Sequence, residues 1–515
     1  MNQMETQGWQ ELMKIASEEM AKWRKENKQA RFSDIEREVD GRLAVVRRQI
    51  LEDMLLASES ADIRSQEKGM RPKCPECGVE LRSEGKRKRR LTTEREQRIE
   101  LERSYASCPE CGMSFFPLDE ELGLLPGQYT PTIQESMVRL GGKLTYRQAQ
   151  EELGKFTHTQ IGEKTIRDLT MKHGKACEEG EKEEVERLER FAPQPKATPK
   201  KVLLSGDGVF VRLVGGEFWE IKNMAIGEFD TEINNKGEER VETRNISYFA
   251  RSYRAREFER YALVETQRRG VENADVVVTP LDGAEWLQSL VSHHAPDAVR
   301  ILDFAHGQEY LATAGKAYFG EGTTDFTTWF GKATQDLKEN GPAATLQRLR
   351  TLHQQAQGQV ETQETIAKSL AYLDKRSAMI DYPSFLASGY PIGSGSVESG
   401  HKVVMQSRMK QAGMSWQVAH VDPMLALRCL ICNDRWDAGW AATVQYRQKQ
   451  RQLARQQRIQ EKLDSLPAPQ PQPTVPVIPV PPRIAVPQSL EPKQPYRPPA
   501  NHPWRRPFLN KAAFN

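Results

Sequence analysis

Asp207 stands in the middle of an apolar run, Lys201-Val-Leu-Leu-Ser-Gly-Asp-Gly-Val-Phe-Val-Arg-Leu213, where a strand normally shows only Val, Leu and Phe. Carboxylates are almost never buried without a partner, so this one points to a cation that needs it. Two later acids supply the company. Asp282 ends a second apolar run, Asp275-Val-Val-Val-Thr-Pro-Leu-Asp282, and Glu398 opens a helix after the Gly-rich turn Pro391-Ile-Gly-Ser-Gly-Ser-Val-Glu398. Three hard oxygen ligands suit a pair of divalent ions, Mg2+ or Mn2+, for phosphodiester chemistry. Glu398 could also be a first-turn carboxylate favoured by the helix dipole, capping with Ser394 or Ser396. Its surroundings favour a site: Gly393, Gly395 and Gly400 permit close approach, and His401, Lys402, Arg408 and Lys410 place cations where a phosphate substrate needs them. Trp416 beyond them can stack on a base or fill the core.

A second constellation is built from sulfur. Cys74-Pro-Glu-Cys77-Gly78 and Cys108-Pro-Glu-Cys111-Gly112 are near-identical knuckles with 30 residues between the pairs (78 to 107). Two C-x2-C pairs match tetrahedral zinc, and a closed four-thiolate shell leaves no position open for substrate, so Zn2+ here is structural. The hairpin between them would present Lys86, Arg87, Lys88, Arg89 and Arg90 to a phosphate backbone. Cys429 and Cys432 lie in an apolar helical stretch and read as packed thiols. Cys177 carries no reading.

The elements that must position these residues follow from periodicity. Residues 1–70 read as a helical arm with Ile35, Val39, Leu43, Val46 and Ile50 near the helical period, a helical hairpin or a dimerisation surface. Residues 71–120 form the zinc-binding hairpin. Residues 121–192 hold two short helices, Thr145–Gly154 and Ile161–Leu169, with the outline of a helix-turn-helix in which Lys164, Thr165, Arg167 and Lys172 could face a groove; many plain helical hairpins share that outline. A Pro-rich segment, Phe191–Pro199, marks a boundary. From residue 200 strands and helices alternate: three strands, a helix, the strand Val276–Leu281, a helix and a fifth strand near Ala298–Phe304. That order predicts an α/β fold with a ribonuclease H-like core in residues 200–305, a helical insertion in 306–390, and core completion with a basic helix in 391–462. The Pro/Gln-rich remainder, 463–515, cannot pack a core and is expected to be disordered.

Charge and hydropathy exclude little but are consistent. A net charge of +3 does not by itself announce nucleic acid, although the basic residues cluster at 85–90 and again between Arg435 and Arg458, where they mark either DNA contacts or solvated faces. No stretch reaches a membrane span, so the expectation is a cytoplasmic, nucleoid-associated protein with no membrane partner.

With these residues in hand, the chain resembles bacterial insertion-sequence transposases of the DDE class, the Kra-type group related to the Mutator-like transposases, over about Pro72 to Trp440. The resemblance rests on the paired Cys-Pro-Glu-Cys-Gly knuckles, Gly206-Asp207-Gly208, Leu281-Asp282-Gly-Ala-Glu-Trp286, Asp303-Phe-Ala-His306, Gly393-Ser-Gly-Ser-Val-Glu398-Ser, and Arg408-Met-Lys-Gln-Ala-Gly-Met-Ser-Trp416. It implies Asp207, Asp282 and Glu398 as the catalytic metal ligands, with Asp303 and His306 as a supporting D-x-x-H signature. Asp303 competes with Asp282 for the second place, since 95 residues (208 to 302) separate it from Asp207 and 94 (304 to 397) from Glu398. Asp282 is preferred because the first and fourth strands of such a core lie side by side. His306 suits an orienting role or a phosphate contact, and equally a packed histidine. The implied activity is strand cleavage and transfer at the terminal inverted repeats of a mobile element, with double-stranded DNA as partner and a dimer or larger assembly at synapsis. A catalytically silent DNA-binding regulator and a structure-specific nuclease are the alternatives.

Overall fold

The structure, a computed structural model, describes residues 3–233 and 239–464. The expected disordered tail falls, after Asp464, outside them. The chain divides into two compact units, which among the described residues are 3–176 with 437–464, and 177–436. No described helix is long and apolar enough to cross a membrane.

In the first unit, helices Gln3–Glu26 and Phe32–Leu56 form a hairpin tied by Trp9 Nε1 donating to Asp53 (2.9 Å). Of the apolar stripe on the second helix Val46 is fully buried, whereas Leu43 is exposed. Strands β1 (Arg82–Thr92), β2 (Arg98–Ser107) and β3 (Ser114–Phe115) make an antiparallel sheet in that order. Beyond it, helices Pro131–Lys143, Tyr146–Thr157 and the start of Glu163–Phe191 close over Ile133, Met137, Ala149, Leu153, Ile161 and Ile166. Thr145 caps the middle helix in a reciprocal box with Gln148, and His158 ends it in the left-handed conformation. The last of these helices runs on to Phe191, much further than the sequence pattern indicates.

The helix Trp436–Asp464 returns to this unit, and its basic face is not free. Arg447 bonds His173, which stacks on Trp440; Arg451 donates to Leu124 O (3.1 Å) and Glu120 (3.2 Å); Arg455 pairs with Glu120. These cations are internal ties, so a DNA-facing surface is not their role. Their charged ends meet an imidazole, a carbonyl and a carboxylate of the same unit in place of water.

The second unit is a five-stranded sheet with helices on both faces. The strands are β4 (Lys201–Arg212), β5 (Phe218–Ile233), β6 (Glu239–Arg251), β7 (Val276–Leu281) and β8 (Val299–Leu302), in the order β6-β5-β4-β7-β8. β4, β5 and β6 are antiparallel neighbours; β7 and β8 run parallel to β4. Alternation along β4 feeds two cores. Val202 and Leu204 pack with Met224, Phe258, Leu287 and Leu290, and Leu203 packs with Val278, Ile301, Leu311 and Leu349. The central parallel strand β7 is apolar on both sides because both faces are covered. The second core belongs to the insertion, whose helices are Phe304–Phe319, Thr324–Gln335, Gly341–Gln355, Val360–Lys375 and Tyr382–Ala387.

The Pro-rich segment does not separate the units. The unit boundary lies between Ala176 and Cys177, inside the helix Glu163–Phe191. Downstream of it, Glu178 accepts from Tyr253 Oη (2.6 Å), Glu181 pairs with Arg251, Glu189 pairs with Arg260, and Val185 is part of the first core. The segment itself is held by Asn273 Nδ2, which donates to Pro195 O (3.0 Å) and Ala197 O (3.1 Å). With Gln267 donating to Pro193 O as well, three of its carbonyls are held by side chains of the sheet unit.

Candidate metal centres

The sulfur centre assembles from two matching turns. Cys74 N donates to Val79 O (2.8 Å) and Gly78 N to Cys74 O (2.9 Å); Cys108 N donates to Met113 O (2.7 Å) and Gly112 N to Cys108 O (3.0 Å). Gly78 and Gly112 take φ of 73° and 69°, the left-handed region that a side chain would strain. The four Sγ atoms lie within 4.8 Å of one another, with Cys74 to Cys111 at 3.6 Å and Cys77 to Cys108 at 3.4 Å. Tetrahedral zinc with bonds of about 2.3 Å separates its sulfurs by roughly 3.8 Å, so the four thiols could hold such a metal with little movement. Burial opposes the Cys108 thiolate, but the amides of Cys111 and Glu110 and the neighbouring Cys77 outweigh it and bring the thiol down to about 7. Among the described residues no other group of three or more His, Cys, Asp or Glu gathers this tightly.

The carboxylate centre is more open and follows from strand register. β4 and β7 pair with a constant offset, Lys201 with Val276 and Leu203 with Val278. The same offset of 75 (276 − 201 and 282 − 207) sets Asp282 level with Asp207. Ser205 Oγ donating to Pro280 O (3.0 Å) keeps the two strands together that far along. β7 and β8 continue the row: Leu281 pairs with Leu302, and Asp303 N donates to Leu281 O (2.7 Å). Asp207 on β4 and the residues that directly follow β7 and β8, Asp282 and Asp303, therefore fall at matching register positions of three adjacent strands.

Their hydrogen bonds separate them. Asp303 is buried, and both of its oxygens accept backbone amides, His306 N at 2.9 Å and Ser394 N at 2.7 Å. It caps the helix Phe304–Phe319 and tethers the turn that leads to Glu398. Asp282 accepts from Ala284 N (2.8 Å) and Asp207 from Gly208 N (2.6 Å), each through Oδ1. Each is only half-buried. Glu398 is exposed on the short helix Gly395–Gly400. That helix is docked by Asn223 Nδ2 donating to Val397 O (3.3 Å) and by Gly400, where a Cβ would come within 2.5 Å of Asn223 and 2.8 Å of Tyr248. Burial raises the Asp207 carboxyl above its usual range, helped by the charges of Asp282 and Glu398, while His401 and the Gly208 amide pull the other way. Carboxylates gathered beside one another in this way are a ready cation site.

His401 Nδ1 lies 3.7 Å from Asp207, and burial lowers its pKa against the pull of that carboxylate. It opens a π-helical turn, His401–Gln406, whose displaced carbonyls are taken up by Arg428 Nε (Val404 O, 3.0 Å) and Cys432 Sγ (Val403 O, 3.4 Å). Cys429, beside Arg251 at 3.7 Å, is buried and Cys432 half-buried, and both thiols are engaged within the fold. His306 pairs with Glu309 (3.1 Å) and meets the rings of Tyr310 and Tyr372 edge-on.

The basic residues sort by exposure. Lys164 and Arg167 lie exposed at the start of Glu163–Phe191, with Arg167 paired to Asp168; Lys402 and Lys410 are exposed near Glu398. Lys86 pairs with Asp62, Lys88 and Arg90 share Glu100, and Arg87 lies over Tyr105. Two expected DNA contacts are corrected. Arg89 turns inward to Asp119 (2.9 Å) and the carbonyls of Leu125 and Gly127, because strand alternation sends it to the opposite face from Lys88 and Arg90. Arg408 is 1% exposed, stacked over Trp416, so both fill the core.

Sequence reasoning missed Asn223, Tyr372 and Arg376. Asn223 faces Asp207 in the β4–β5 register, and a polar residue in the apolar stretch of β5 was the available signal. Tyr372 and Arg376 stand 90 and 93 residues from the carbonyls they bind, with nothing local to mark them.

No protein-family model matches the chain. It is 24% identical over 324 residues, 61% of its own length, to the UPF0236 protein in the vanSb 3' region of Streptococcus gallolyticus, and the match spans 66% of that protein. The chain is thus similar to a distant relative whose name states no reaction.

Proposed function

We propose that the chain is a DNA transposase of the DDE class, with a ribonuclease H-like core, that binds the terminal inverted repeats of its mobile element and cuts and joins strands there. The observation that carries this reading is Asp207 on β4 with the charges of Asp282, which directly follows the adjacent parallel strand β7, and of Glu398, on a helix docked by Asn223, acting on it. The sheet order β6-β5-β4-β7-β8, three antiparallel strands followed by two parallel ones, is the order expected of such a core. The resemblance to Kra-type and Mutator-like transposases points the same way. The distant relative adds common descent without a stated activity.

In this reading Asp207, Asp282 and Glu398 hold two Mg2+ or Mn2+ ions through oxygen, and the cysteines hold Zn2+. The paired ions would activate the attacking water or 3'-hydroxyl and stabilise the leaving oxygen. Asp303 and Asn223 keep the Glu398 turn in place. The exposed cations Lys86, Arg87, Lys88, Arg90, Lys164, Arg167, Lys402 and Lys410 contact phosphates. Two element ends require at least a homodimer at synapsis, on nucleoid DNA in the cytoplasm.

A strand-transfer assay with element-end DNA, target plasmid and Mg2+ tests the proposal. Joined products that need the terminal repeats are expected. Binding without joining would identify a silent regulator, and cleavage indifferent to the repeats a structure-specific nuclease.

A further inference from the structure

The insertion reaches back to the carboxylate row beside Asp282. Tyr372 Oη donates to Asp282 O (2.8 Å), and Arg376 Nη2 donates to Gly283 O (3.0 Å). The guanidinium lies 3.7 Å over the Tyr372 ring and also donates to Tyr372 O (3.3 Å), so the two side chains act as one clamp. The clamp is itself braced: Tyr310 stacks on Tyr372 with centroids 3.8 Å apart, and His306 meets both rings. Gly283 is the residue that admits it. Its φ is +82°, and a Cβ there would lie 2.5 Å from Tyr372 Oη and 2.8 Å from Arg376 Nε.

Two consecutive carbonyls at the end of a central strand are thereby taken from solvent by side chains of a distant helix. On the other side, Ala284 N holds Asp282 Oδ1. Backbone and one carboxylate oxygen are fixed, which leaves Oδ2 to a metal. We propose that Tyr372 and Arg376 are positioning residues for Asp282, so that docking of the helical insertion completes the carboxylate centre. This deepens the two-metal reading and rests on it. Groups that orient a metal ligand typically change affinity by about 10–100-fold when removed.

The test uses the full-length, zinc-loaded protein with Mn2+ as probe, free Mn2+ being read by electron paramagnetic resonance, and with melting temperature and affinity for element-end DNA measured alongside. Asp207→Asn identifies which bound Mn2+ belongs to the carboxylates. Tyr372→Phe and Arg376→Met should weaken that binding about 10–100-fold while leaving DNA affinity unchanged. Arg376→Lys, which keeps a donor but not the planar fork, should recover part of it. Tyr372→Phe removes one hydroxyl and keeps the stack, so it decides the matter if the arginine variants fail to fold. Folded Tyr372→Phe with wild-type Mn2+ affinity would overturn this inference alone. A wild type that binds no Mn2+ at the carboxylates would refute the two-metal reading and this inference with it.

Discussion

At the residue scale, three aspartates at matching register positions differ in what their oxygens already do. Asp303 has both oxygens bound to amides, whereas Asp282 and Asp207 each show one such bond. Asp282→Asn should abolish cleavage and joining with DNA binding intact. Asp303→Asn should retain measurable activity and melt lower, because the new amide nitrogen cannot accept from either His306 N or Ser394 N and leaves one donor unpaired, at a cost of about 1–3 kcal/mol. Gel assays and melting curves on the two variants decide, and loss of activity in Asp303→Asn alone would reverse the assignment. Arg408 gives a second contrast. Arg408→Ala should destabilise the fold by about 2–4 kcal/mol through lost packing and leave the salt dependence of DNA binding unchanged. Lys402→Ala or Lys410→Ala should leave stability alone and reduce the salt slope by about 1 each, read by binding titrations over a salt series.

At the scale of elements, the sulfur hairpin should carry one zinc per chain by metal analysis, and Cys77→Ser should lose it together with the fold of the hairpin. Zinc unchanged in that variant would sink the assignment. The helix Glu163–Phe191 predicts where the chain can be cut. Its last part supplies Glu181 to Arg251, a guanidinium that burial alone would disfavour and that Glu181 and its other neighbours hold well above the usual range. Deleting residues 1–192 strands that charge at a cost of about 3–5 kcal/mol, so a fragment 193–436 should lack a cooperative melt that a fragment 177–436 keeps. Much of this was legible in the sequence. The knuckles follow from spacing, and β7, which spans Val276–Leu281, is readable because a strand covered on both faces must be apolar throughout. The return of Trp436–Asp464 to the first unit was not legible, since a helix with Arg447, Arg451 and Arg455 reads alike whether its cations meet DNA or His173 and Glu120. Nor was the clamp on Asp282, a pairing across some ninety residues with no periodic signal.

For the whole molecule, acid sensitivity follows from histidines kept neutral. Burial, with Arg447 and Lys172 adding to it, takes His173 down to about 3, and burial takes His294 to about 4 against the Glu259 carbonyl that it bonds at 2.7 Å. Below the unfolded value of about 6.5 the unfolded chain binds protons that the folded one refuses. Stability is therefore full above that pH and falls as pH drops towards 4, by at most about 1.4 kcal/mol per pH unit for each histidine. Denaturant midpoints between pH 7 and 5 should fall less steeply in His173→Gln or His294→Gln than in the wild type. The central claim, that Asp207, Asp282 and Glu398 form one metal-dependent centre for strand chemistry, is tested most directly by single-turnover cleavage of terminal-repeat DNA. Wild type should cut at the repeat end only with Mg2+ or Mn2+, and Asp207→Asn, Asp282→Asn and Glu398→Gln should each lose cleavage while still binding the DNA. Cleavage that survives in any of the three, or that proceeds in a chelator, would contradict it.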